Sequence, residues 1–196
     1  SLRQRIARHY GQSYGVELDP ARVVVTTGSS AGFTLAFLAL FDAGARVGVA
    51  EPGYPAYRNI LKSLDLVPLA LPVGPATRWQ VTPGQLEAEL AGKGCDGLLV
   101  ASPANPTGTM LSPEALADLV GLCDPRGVAF ISDEIYHGLT FETPAASAIQ
   151  TSANAIVINS FSKYYCMTGW RVGWMVVPPD LVRTIERLAQ NLFISP

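Results

Sequence analysis

Lys163 sits within the stretch Ser160-Phe161-Ser162-Lys163-Tyr164-Tyr165-Cys166-Met167-Thr168-Gly169-Trp170-Arg171, and the only other lysines are Lys62 and Lys93. An apolar run, Ala155 to Asn159, leads straight into it, which puts the lysine at the exit of a buried strand. An amine partly withdrawn from water gives up its proton more readily, and a neutral amine attacks an aldehyde to form a Schiff base. Ser160, Ser162 and Arg171 are residue types that bind a phosphate group near that amine. An aldehyde and a phosphate on one small molecule describe pyridoxal 5'-phosphate. A lone S-x-S-K is common, and most lysines are solvated surface charges. The longer pattern S-x-S-K-x-x-x-x-x-G-x-R-x-G-W is far more specific.

Other polar residues fit the same chemistry. Pyridoxal phosphate is an electron sink that works best with its ring nitrogen protonated, which a buried carboxylate opposite that nitrogen secures. Asp133, at the end of the apolar run Gly127 to Ser132, is the candidate, against the alternative of a turn or cap aspartate. Asn105 and Tyr136 can donate to the cofactor's phenolic oxygen, and Tyr54 can stack on its ring. Gly28, Ser29 and Ser30 lie between a strand and a helix, where backbone N–H groups point at an anion. An ordinary tight turn explains that stretch equally well, and its glycine spacing is neither a dinucleotide fingerprint nor a P-loop.

The elements that must position these residues alternate. Strands are expected over Arg22–Thr27, Arg46–Ala50, Leu66–Leu71, Cys95–Ala101, Gly127–Ser132, Ala155–Asn159 and Val172–Val177. Helices are expected from Leu2 and over Phe33–Phe41, Tyr57–Leu64, Gln85–Leu90, Pro113–Cys123 and Leu181 to about Leu192. This predicts an α/β three-layer sandwich around a mostly parallel sheet of about seven strands. Val172–Val177 follows the lysine strand too closely for a helical crossover and should run antiparallel. In such sheets ligands bind beyond the carboxyl ends of the strands, and every residue named above lies just after one.

Composition narrows the function. The 196 residues are 48% hydrophobic and 15% charged, with a net charge of −2 and no basic stretch, which argues against nucleic acid or a membrane surface as partner. The longest apolar run, Phe33 to Phe41, is about half of a bilayer span. Cys95, Cys123 and Cys166 form neither a disulfide framework nor a metal site, and fit a reducing cytoplasm. No metal is expected. The chain opens on Ser1 and reads as helix at once, which suggests a piece of something longer.

The motifs together closely resemble the class I/II aminotransferases, fold-type I pyridoxal-phosphate enzymes. Asn105-Pro106-Thr107-Gly108 is similar to the family's N-P-T-G, and Asp133-Glu134-Ile135-Tyr136 to its D-E-x-Y. Thr27 to Ser30 resembles its phosphate turn, and Pro52 to Pro55 the segment with the stacking aromatic. Lys163 matches the Schiff-base lysine and Arg171 the phosphate arginine. The D-E-I-Y-H and M-T-G-W-R wording is closest to the aspartate and broad-range aminotransferase branch.

The resemblance implies a large, cofactor-binding domain over residues 1–196, with the small domain and an N-terminal segment outside the sequence. It implies transfer of an amino group between an amino acid and a 2-keto acid, catalysed by Lys163, in a homodimer. The arginine that holds the substrate carboxylate would lie beyond Pro196, so these residues alone should transaminate poorly. Two other readings share the motifs: another enzyme of this fold type, such as a carbon–sulfur β-lyase, or a non-catalytic aminotransferase-like sensor domain. A plain doubly wound domain for another phosphate ligand is a further one.

Overall fold

The computed structural model describes residues 1–195. Among them seven strands form one sheet: β1 (Val23–Thr26), β2 (Arg46–Glu51), β3 (Val67–Pro72), β4 (Gly97–Ala101), β5 (Ala129–Asp133), β6 (Ile156–Ser160) and β7 (Gly173–Val176). Their order across the sheet is β1-β7-β6-β5-β4-β2-β3. β7 is antiparallel to both of its neighbours, with Thr26 and Ser160 each opposite Gly173, and the remaining pairs are parallel. The expected sheet, with its one reversed strand, is what forms. The short link from β6 to β7 leaves no room for a crossover helix, so the chain turns back beside itself.

Among the described residues six α-helices cover the sheet: α1 (Leu2–Tyr14), α2 (Gly28–Leu40), α3 (Pro55–Ser63), α4 (Pro83–Ala91), α5 (Pro113–Cys123) and α6 (Pro179–Leu192). Side chains alternate across each strand, so each strand feeds two cores. Val157, Trp174 and Val176 pack with Tyr10 of α1, Leu86 of α4 and Leu119 of α5. Ile156, Ile158 and Met175 pack on the other face with Phe33 and Phe37 of α2, Leu61 of α3 and Ile185 of α6. Strands apolar on both faces are what a sheet between two helical layers requires.

Local signals set the helix ends. Ser1 and Gln4 make a reciprocal capping box at the start of α1, and Gly15 ends it in the left-handed region. Pro113 occupies the first turn of α5 behind the Ser112 cap. Several ends shift by a residue or two from expectation, and the largest difference is at the start of α2. Gly28, Ser29 and Ser30 belong to the first turn of α2, not to a loop before it. These small residues carry no apolar periodicity, so the sequence marks the helix only from Phe33. No helix among the described residues is long and apolar enough to cross a membrane.

Candidate functional site

The carboxyl ends of β1, β4, β5 and β6 open onto one edge, and the sequence-selected residues gather there. β1 ends in Thr26, and α2 then begins at Gly28 with φ +73°. A Cβ at Gly28 would lie 2.6 Å from Arg171 Nη2, so only glycine lets the guanidinium rest on this turn. Gly173 is equally constrained: a Cβ there would meet the Asn159 carbonyl at 2.7 Å and the Ser29 nitrogen at 3.1 Å. The first turn of α2, the end of β6 and the start of β7 thus meet at backbone distance.

Arg171 itself is left-handed, at φ 53° and ψ 45°, a conformation non-glycine residues adopt at a cost. It turns the side chain back over its own loop. Nη1 donates to the Thr168 carbonyl at 3.0 Å and reaches Ser162 Oγ at 3.5 Å. The Ser160 and Ser162 hydroxyls are 2.9 Å apart, and the Ser162 N–H donates to Ser160 Oγ at 3.1 Å. A helix N-terminus, a guanidinium and hydroxyl groups converge, which is the donor set of a phosphate dianion. Beside them Thr27 Oγ1 is buried without a hydrogen-bond partner among the described residues, a spare donor at the same turn. Ser29 is half-buried and Ser30 exposed.

Asp133 ends β5 and is 4% exposed. Burial pushes its carboxyl up to about 6; the Tyr57 hydroxyl, the Ile135 N–H and the Lys163 charge pull the other way. One oxygen accepts from the Tyr57 hydroxyl and the other from the Ile135 N–H at 3.1 Å. Burial and the adjacent Asp133 carboxylate raise Tyr57 well above the ordinary phenol range. A dry carboxylate with that proton balance suits a cationic partner such as a protonated ring nitrogen.

Asn105 and Tyr136, chosen as a pair from the sequence, do meet, with Asn105 Nδ2 3.5 Å from the Tyr136 hydroxyl. Tyr54 caps α3 and is 40% exposed, its ring edge-on to Tyr57 at a centroid distance of 5.3 Å. It shares one cleft with Tyr57 and Asn105. Lys163 brings a correction. The sequence places it partly out of water, yet its side chain is exposed. The loop that follows β6 swings outward at the sheet edge, carrying exposed Tyr164 and Trp170 with it. Nζ stands 5.6 Å from the centroid of the Tyr136 ring, which ties it to the Asn105–Tyr136 pair.

Three features escaped sequence reading. Tyr57 was legible in principle, because Pro55 starts a helix and the i, i+3 spacing puts Tyr57 beside Tyr54. Glu134 is fully buried, and its Oε1 accepts from the Ser132 and Ser147 hydroxyls and from the Ala148 N–H at 2.9–3.1 Å. His137 bridges the Ser102 carbonyl at 2.9 Å and the Tyr14 hydroxyl at 2.8 Å, joining α1 to the β4 exit. Neither long-range bridge leaves a local pattern. Gln80 is a fourth, buried and equally without a local pattern.

Residues 1–196 match the family described as aminotransferase class I and II. A valine–pyruvate aminotransferase of Mycobacterium tuberculosis is 53% identical over 100% of this chain and 50% of that protein. An aspartate aminotransferase of Geobacillus stearothermophilus is 29% identical, again over 100% of this chain and 51% of its own length. Among solved structures, an aminotransferase from Mycobacterium tuberculosis superposes with a TM-score of 0.95 at 52% identity, covering 100% of this chain and 53% of that one. The aspartate aminotransferase of Thermus thermophilus with maleate gives 0.94 at 26% identity, covering 100% of this chain and 51% of that one. The chain therefore spans about half the length of the relatives it matches.

Proposed function

Because this chain belongs to the class I and II aminotransferases, a pyridoxal-phosphate-dependent family, we propose that it is the cofactor-binding part of an enzyme that moves an amino group between an amino acid and a 2-keto acid. The observation that carries this is the contact of Arg171 with Gly28. It leaves a cradle for one phosphate beside Lys163 and the buried Asp133. The donor set fits pyridoxal phosphate at both ends. Gly28, Ser29, Ser30, Ser160, Ser162 and Arg171 would hold the phosphate, and Asp133 the ring nitrogen. Asn105 and Tyr136 would donate to the phenolic oxygen, and Tyr54 would cover the ring.

When bound, the cofactor supplies an electron sink that stabilises charge at the substrate's α-carbon. The chain's own residues do the rest. Lys163 Nζ would take the α-proton and return it, acting as general base and acid. Asp133 would hold the ring nitrogen's proton in place from its buried position at the end of β5. Tyr57 holds the Asp133 carboxylate still. Arg171, fixed by Thr168 and Ser162, would anchor the phosphate and so orient the bound group.

The valine–pyruvate relative extends the proposal to substrates: a branched apolar donor with pyruvate as acceptor, in preference to aspartate. Homodimer assembly, a cytoplasmic location and a separate small domain belong to the same proposal. The test uses the intact protein. Borohydride reduction with pyridoxal phosphate should label Lys163, and valine with pyruvate should give keto acid faster than aspartate with 2-oxoglutarate. Label on Lys62 or Lys93, or none, overturns the lysine assignment; ammonia and pyruvate released by elimination overturn the reaction class.

A further inference from the structure

Gln80 lies outside every motif read from the sequence, yet its side chain is buried at 6% exposure. Its Nε2 donates to the Thr109 carbonyl at 2.7 Å, meets the Thr109 hydroxyl at 3.2 Å and reaches the Ala101 carbonyl at 3.4 Å. The Thr109 carbonyl also accepts from the Ala104 N–H at 2.9 Å, and the Gly108 N–H donates to the Ala104 carbonyl at 2.8 Å. Residues 104–109 are thus a closed loop with Asn105 inside it. The amide of Gln80 ties that loop to the end of β4.

The approach to Gln80 is strained. Arg78 and Trp79 are consecutive non-glycine residues at φ 53° and 61°. Such residues persist where their surroundings over-determine them, and they concentrate at functional sites. Here the two left-handed residues lead directly into Gln80. The Trp79 carbonyl adds a contact to the Thr109 hydroxyl at 3.4 Å, and that hydroxyl is 3.0 Å from Thr107 Oγ1. Gln80 shares the cleft of Asn105, Tyr54 and Tyr57. An apolar side chain of equal size would fill the space and supply none of these donors.

We propose that Gln80 is a positioning residue for Asn105. Its amide sets the loop of residues 104–109 so that Asn105 meets the Tyr136 hydroxyl on the edge that faces the cofactor. The proposal rests on the pyridoxal-phosphate reading given above. It separates Gln80 from residues that only stabilise the fold, because its effect should pass through Asn105.

The test compares Gln80→Met, Gln80→Glu, Asn105→Ala and the double variant Gln80→Met/Asn105→Ala in the intact protein. Without cofactor, hydrogen exchange at the Ala104 and Gly108 amides should quicken about tenfold in Gln80→Met, the scale of one lost hydrogen bond. Amides of β5 and β6 should exchange as before. With pyridoxal phosphate, Gln80→Met should move the pH midpoint of the bound cofactor's absorption in the same direction as Asn105→Ala. The double variant should move it no further than Asn105→Ala alone. Gln80→Glu keeps the shape but sets an acceptor against two carbonyls, so loop exchange should quicken at least as much as in Gln80→Met. Unchanged loop exchange, or additive midpoint shifts, overturns the role of Gln80. Failure of the unmutated protein to take up pyridoxal phosphate overturns the reading beneath it and the proposal with it.

Discussion

Tyr57 of α3 donates its buried hydroxyl to the carboxylate of Asp133, at the end of β5. The bond crosses from the helical layer to the sheet, so the helix that carries Tyr54 also fixes the proton-holding group. Tyr57→Phe removes the donor without changing the ring. The buried Asp133 oxygen then has no partner, which costs about 1–3 kcal/mol. The loss should be larger at pH 8, where the carboxylate is charged, than at pH 4. Urea unfolding at the two pH values checks this, and equal losses would show that the hydroxyl only packs.

Asp133 gives a pH dependence whose sign can be worked out. Its carboxyl is raised to about 6 from an ordinary 3.8. The folded state therefore binds the proton more tightly than the unfolded state. That contribution to stability is full below 3.8 and is lost as pH rises through about 6, by roughly 3 kcal/mol in all. Asp133→Asn carries no such group. Without cofactor, the variant should gain on the unmutated protein by about that amount between pH 3 and pH 8. Unfolding free energies for both proteins across the range check it, and parallel curves would refute a raised carboxyl. With cofactor and substrates, the same variant should slow α-proton removal by orders of magnitude, each factor of ten being about 1.4 kcal/mol of barrier.

Legibility in the sequence followed the range of the interaction. Asp133, Asn105 and Lys163 each follow an apolar run, and strand exits converge in a parallel sheet, so their edge was readable without coordinates. β7 was readable because the β6–β7 link is short. The Tyr14–His137 bond spans 123 positions and the Gln80–Thr109 bond 29, and neither leaves a periodic trace. The exposure of Lys163 departs from expectation for a related reason. Strand burial predicts what precedes the lysine, while its own surroundings depend on how the next loop leaves the sheet.

Glu134 predicts a stability effect without any direct role in the reaction. Its Oε1 accepts three hydrogen bonds, while Oε2 faces His137 Nδ1 at 3.6 Å. Burial raises its carboxyl, and His137 is the first of the groups that oppose the rise. Glu134→Ala leaves the Ser132 and Ser147 hydroxyls and the Ala148 N–H unsatisfied together. The expected loss is about 3 kcal/mol or more, since each buried donor left unsatisfied costs about 1–3 kcal/mol. Glu134→Gln keeps an acceptor oxygen and should lose less. Thermal unfolding of the two variants orders them, and a silent Glu134→Ala would mean that water replaces the carboxylate.

Gly28→Ala tests the phosphate cradle with a single methyl group. The residue sits at φ +73°, where a side chain costs about 1–2 kcal/mol, and its Cβ would stand 2.6 Å from Arg171 Nη2. A guanidinium on a flexible stem can yield, so the fold should survive with a modest loss of stability. The yielding has a consequence, because Arg171 must leave the one position that its left-handed backbone and its bond to Thr168 define. Affinity for pyridoxal phosphate should therefore fall by more than the stability does, by about tenfold to a hundredfold for a charge-assisted contact. Pyridoxal without phosphate should bind the variant and the unmutated protein about equally, since it makes no demand on the cradle. Titration of the cofactor-free intact protein with both compounds separates the two effects. Equal losses for pyridoxal and its phosphate would place the damage in the fold, and the Gly28–Arg171 contact would then have no part in holding a phosphate.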